Sequence, residues 1–133
     1  MCDVCGRHFA RRGQSHECSP ALSLDAYFAT ALSHEQPVFE AVHGHLVTIG
    51  PVHVEPVAVG IFIKKTGTFM ELRPMSKWVA ASFPLPRPVT HRLMTRRPMT
   101  VGRRIYHVLN LRVPGDLTDD VRDLMTQSYD FVD

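Results

Sequence analysis

The chain has 133 residues, of which 44% are hydrophobic and 21% charged. That is the composition of one globular domain with room for a small appendage, and it excludes a disordered chain. The longest apolar stretch, Val57 to Ile63, is too short to cross a bilayer, so no membrane partner is expected. The start Met1-Cys2-Asp3 lacks the basic and apolar regions of a secretory signal, so a cytoplasmic location is expected.

The formal net charge of +2 conceals an uneven distribution. Residues 21–57 hold Asp25, Glu35, Glu40 and Glu55 and no Lys or Arg, a net of −4. Residues 58–112 hold three Lys and eight Arg against the single acid Glu71, a net of +10. Residues 113–133 return to −5. Such asymmetry points to an anionic partner, provided the acidic flanks do not cover the basic middle in the fold.

In chain order, residues 1–20 are polar and too short of large apolar side chains to form a core alone. Ser19-Pro20 marks a boundary, separating this segment from a domain over 21–133. Ser23 suits an N-cap, and Leu24, Tyr27, Phe28, Ala31 and Leu32 follow at helical spacing. Pro37 suits a first helical position. Val38, Phe39, Val42, Leu46 and Ile49 form one stripe, which Gly50-Pro51 ends.

From Pro51 the period shortens to two. Strands are expected at Val52–Val57, Gly60–Lys65, Phe69–Arg73 and Trp78–Phe83, with Thr66-Gly67 as a hairpin turn. Pro84, Pro86 and Pro88 form a stiff break. A weak strand is expected at Thr90–Met94 and a strong one at Ile105–Leu111. Pro114-Gly115 is a turn. Asp116 or Thr118 then caps a last helix whose inner stripe is Val121, Leu124 and Met125. The expected fold is α+β: two helices, an antiparallel sheet of five to six strands, and a C-terminal helix.

All three cysteines fall in the first segment. Cys2, Cys5, His16 and Cys18 follow the spacing Cys-x2-Cys-x10-His-x-Cys. Three thiolates and one imidazole favour tetrahedral Zn²⁺. Four protein ligands leave no open position, so the expected role is structural, organising a segment with no core of its own. His8 is a competing imidazole. A disulfide leaves one cysteine unpaired, and free surface thiols remain the other alternative.

The run from Cys2 to Cys18 resembles the N-terminal zinc knuckle of an uncharacterised bacterial family. There the knuckle precedes a small α+β domain of unknown function. Tyr106-His107-Val108-Leu109-Asn110-Leu111, followed by Pro114-Gly115-Asp116-Leu117 and an acidic helix, is similar too. The family is distantly similar to the YdhG-type, frataxin-like small α+β domains. The resemblance implies one domain plus a knuckle, and no catalytic residues.

Strand alternation assigns Ile61, Ile63, Met70, Leu72, Val79, Ala81 and Phe83 to the side under the helices. It assigns Phe62, Lys64, Phe69, Glu71, Arg73, Trp78 and Tyr106 to the other. Aromatics interleaved with cations suit a stacking platform for bases or another flat anionic ligand. Arg87, Arg92, Arg96, Arg97, Arg103 and Arg104 would supply a cationic rim.

His107 lies on the strongest strand and points the same way as Ile105 and Leu109, where an imidazole is most often a hydrogen-bonded core group. It is also the best polar candidate for a binding site, with Glu71 as an acid–base companion if the fold joins them. No phosphate loop, serine-nucleophile motif or paired-carboxylate motif is present. The expected function is a zinc-stabilised, non-catalytic module binding an anionic partner such as nucleic acid. One alternative is a small-molecule pocket or enzyme between sheet and helices, using His107 and Arg73. The other is a homodimer through the aromatic face.

Overall fold

The computed structural model describes residues 23–132. The Cys2, Cys5, His16 and Cys18 constellation lies outside them.

Helix α1 (Leu24–Ala29) is short and starts as its sequence dictates, with Ser23 Oγ accepting from the Ala26 N–H at 3.0 Å. Leu32 falls beyond its end and is half exposed. Helix α2 (Glu35–Ile49) begins two residues before Pro37. The Glu35 carboxylate accepts from the Leu32 N–H at 2.5 Å and from the Tyr27 hydroxyl at 2.9 Å, which fixes the α1–α2 corner. Burial and this carboxylate together raise the Tyr27 pKa. Val38, Phe39, Val42 and Leu46 are buried along one stripe of α2.

Six antiparallel strands follow: β1 (His53–Val57), β2 (Gly60–Lys64), β3 (Thr68–Pro74), β4 (Val79–Leu85), β5 (Met99–Val101) and β6 (Arg104–Leu111). Their spatial order is β1-β2-β3-β4-β6-β5. Gly60 holds a φ of +153°, and a Cβ there would sit 2.4 Å from the Leu72 carbonyl oxygen. Only glycine fits so tight a start to β2. A short 3₁₀ turn (Pro114–Asp116) leads into α3 (Asp119–Phe131), where Val121, Leu124, Met125, Ser128 and Tyr129 are buried.

Helices α2 and α3 cover one face of the sheet and share its core with Ile61, Ile63, Leu72, Ala81, Phe83, Leu109 and Leu111. The α+β class, the antiparallel sheet and the C-terminal helix therefore agree with the expectation.

Three details of the sheet differ. Phe69 is not on the face away from the helices; it is 2% exposed and packs edge-on against Tyr129 with ring centroids 5.9 Å apart. The cause is a register shift. Ile63 pairs with Met70 but Lys64 pairs with Thr68, so β3 carries one extra residue. The bulge lets both Phe69 and Met70 turn inward, where uniform alternation would send one outward. Second, β4 runs through Pro84 to Leu85. Beyond Ser82 it pairs with β6 alone, an edge-like position that tolerates proline's missing N–H. Third, Thr90–Met94 is not a strand; the short strand is β5, which turns into β6 through Gly102 at φ +60°.

Candidate functional site

The segment between β4 and β5 has no regular structure, yet its backbone is fixed. The Arg87 guanidinium donates to Gln127 Oε1 at 2.8 Å. The Val89 N–H donates to His107 Nε2 at 2.9 Å. The Leu93 carbonyl accepts from the Asn110 N–H at 3.0 Å, and Thr95 Oγ1 accepts from Asn110 Nδ2 at 3.0 Å. His91 joins Asp120 on α3 at 2.7 Å. Arg87, Val89, His91, Leu93 and Thr95 each hold a contact to the domain, and a turn closed by the Met94 N–H donating to the His91 carbonyl at 2.9 Å lies among them. Arg92, Arg96 and Arg97 are exposed.

The sequence left open whether acidic helices neutralise the basic segment, and the pairings answer this among the described residues. Lys64 pairs with Glu55 at 3.0 Å, and Arg73 with Glu71. Lys65 Nζ donates to the Tyr129 and Val132 carbonyls at 2.9 and 3.0 Å, a favourable cation at the C-terminal end of α3. Arg112 stacks over Trp78 at 5.2 Å from the ring centre. Arg92, Arg96, Arg97 and Arg103 are exposed and make no ion pair within the described residues. Residues 72–115 contain nine Lys or Arg and no acid at all. The acidic helices lie on the opposite side of the sheet from the β5–β6 face, and His91–Asp120 and Arg87–Gln127 both join the basic loop to α3.

Beside these arginines, the face of the sheet away from α2 and α3 carries a shallow groove of about 420 Å³. Met99 lies opposite Tyr106, and Val101 opposite Arg104, so the four side chains share one face. Arg104 Nη1 donates to the Tyr106 hydroxyl at 3.3 Å. Met99 is 67% exposed and Val101 56% exposed. Glu71 and Ser82 lie opposite each other on β3 and β4 and also line the groove. A second depression of about 260 Å³ in the basic loop is lined by Thr90, His91, Met94, Thr95, Arg96 and Arg97, among others.

The residues singled out in the sequence do not converge on one point. Phe62 and Lys64 sit on β2, four strand positions from β5, or about 19 Å at ordinary strand spacing. Lys64 is only 3% exposed. Arg73 lies near Trp78 at the β3–β4 end, with the Met75 N–H donating to the Trp78 carbonyl at 2.8 Å. Arg96 and Arg97 lie at the far edge.

His107 is inside, 1% exposed. Its Nε2 accepts from Val89, so its Nδ1–H donates to the Ile105 carbonyl at 2.8 Å. Burial lowers its pKa, the nearby Arg87 charge adds to that, and the Ile105 carbonyl opposes both. Glu71 and Arg73 are on the other face of the sheet, so neither an acid–base pair with Glu71 nor a shared pocket with Arg73 is formed. Beneath α1 and α2 the void lined by Tyr27, Glu35, Phe39 and their neighbours holds about 10 Å³, room for about one water, and beside it an open surface depression of about 310 Å³ is lined by Tyr27, Thr30, Ala31, Glu35, Ala58 and Pro74, without His107 or Arg73.

Met99, Val101 and Arg112 belong to no motif in the sequence. The available signal for the first two was apolar side chains inside an acid-free, arginine-rich stretch, where a solvated loop has no need of them.

Among the described residues, no group of three His, Cys, Asp or Glu side chains is arranged to hold a metal ion. No helix among them is long and apolar enough to cross a membrane. Comparison with curated proteins and with solved structures gave no match. Residues 24–132 match the family model described as Domain of unknown function (DUF5655), and the chain belongs to that family.

Proposed function

We propose that this protein is a non-catalytic binding module for an anionic partner, with nucleic acid as the partner class. The observation that carries the reading is the arginine set of the β4–β5 loop and the β5–β6 turn. Arg92, Arg96 and Arg97 project from a loop tied to the domain at several residues and Arg103 from the β5–β6 turn, and none of the four makes an ion pair among the described residues. Fixed cations of this kind displace the counterions around a phosphate backbone without first having to be ordered. The buried, fully hydrogen-bonded His107 supports a structural role for that imidazole over an acid–base one. Fluorescence anisotropy with single- and double-stranded probes tests the reading. Binding at ~50 mM salt that weakens steeply as salt rises supports it; no binding to either probe at ~50 mM salt contradicts it.

The N-terminal segment is part of the same proposal. Cys2, Cys5, His16 and Cys18 would hold one structural Zn²⁺, since three thiolates and an imidazole satisfy a closed tetrahedral shell. Metal analysis of the purified protein should find about one zinc per chain, lost or weakened in Cys5→Ser.

A further inference from the structure

The groove on the β5–β6 face combines two features that a purely electrostatic contact does not require together. One is the set of arginines at its border: the exposed Arg97 precedes Met99 by two residues, and the exposed Arg103 and half-buried Arg104 follow the Gly102 turn. The other is an apolar patch made by Met99, Val101 and the ring of Tyr106. Two of its members are more than half exposed although they belong to a sheet strand. A phosphate backbone alone needs the cations and gains nothing from the patch. A duplex keeps its base faces stacked inside. A flexible strand with unstacked bases uses both, laying its phosphates along the arginines and a base on the patch.

We propose that this protein binds single-stranded nucleic acid, with a base stacked on Tyr106 between Met99 and Val101. The inference rests on the anionic-partner reading above and deepens it. Tyr106 is suited to the task because Arg104 holds its hydroxyl at 3.3 Å and its cross-strand neighbour Met99 borders the ring. Glu71 is the one acid in the groove, and Arg73 neutralises it. Together with Ser82 it supplies polar groups for a base edge on the neighbouring strands.

The test uses the full chain and three probes of equal length: a single strand, an abasic single strand of the same charge, and the corresponding duplex. The intact strand should bind about ten-fold tighter than the abasic one, within the range of one base–aromatic stack. Tyr106→Ala should bring the intact strand down to the abasic level, whereas Tyr106→Phe should keep most of the difference. Equal binding of intact and abasic strands, or Tyr106→Ala binding like the parent, overturns the stacking proposal and leaves the charge reading standing. No binding to any probe overturns both. Dimerisation in light scattering that Met99→Arg abolishes would assign the patch to a second copy of the chain and overturn the proposal as well.

Discussion

The His91 Nε2–H donates to Asp120 Oδ2 across 2.7 Å, while its Nδ1 accepts the Leu93 N–H at 3.1 Å. The imidazole thus links the basic loop to the first turn of α3. Hydrogen bonds from Thr118 and His91 hold the Asp120 pKa down at about 2. The carboxylate therefore stays ionised throughout the range in which the protein would meet a partner. In the proposed function the connection matters because it ties down the loop from which Arg92, Arg96 and Arg97 project.

Breaking that connection should loosen the loop locally and leave the fold intact. Asp120→Ala should speed hydrogen exchange at the Leu93 amide and its neighbours, with little change in Tm, because Asp120 lies at the surface. A large fall in Tm would mean that the contact supports the core and not the loop.

Phe69→Ala and Met99→Ala separate the two faces of the sheet. Phe69 is buried against Tyr129, so its truncation should cost about 3–5 kcal/mol in denaturant unfolding. Met99 is exposed, so its truncation should change stability by less than about 0.5 kcal/mol. Similar costs for the two would contradict the bulge placement.

How much of this was legible in the sequence depended on the range of the interactions involved. The α2 stripe of Val38, Phe39, Val42 and Leu46, and the alternation along β6, are local patterns that translate directly into structure. The bulge at Ile63/Lys64 is not local, because it depends on which β3 residue each β2 residue meets. Pro84 within β4 required knowing that β3 stops pairing at Ser82. Thr90–Met94 has the side chains of a short strand but folds as a turn, closed by the Met94 N–H donating to the His91 carbonyl at 2.9 Å. Its outside partners are the Asp120 side chain, met by His91, and the Asn110 N–H, met by the Leu93 carbonyl, and no ladder forms. For the site, the charge asymmetry located the basic segment. Only the strand order shows that Phe62 and the arginine loop lie far apart.

His107 should make stability depend on pH on the acid side. Its native pKa lies below the usual 6.5, so in that window the unfolded chain binds a proton that the native state refuses. Stability is then fully present above about 6.5 and falls as pH drops toward the depressed native value. His107→Gln removes this titration and keeps an acceptor for the Val89 N–H. Its Tm should be lower than the parent's at pH 7 and should fall less between pH 7 and pH 5. An unchanged slope would show that His107 does not contribute.

The most direct measurement of the central claim is the salt dependence of single-strand binding by three forms of the full chain. These are the parent, the triple variant Arg96→Ala/Arg97→Ala/Arg103→Ala, and Arg122→Ala as a control. Arg122 pairs with Asp119 on the helix side, away from the groove. The control should bind like the parent. The triple variant should bind more weakly, and its slope of log affinity against log salt should be shallower by about two to three. Triple-variant binding as tight and as salt-sensitive as the parent's would contradict the assignment of this face.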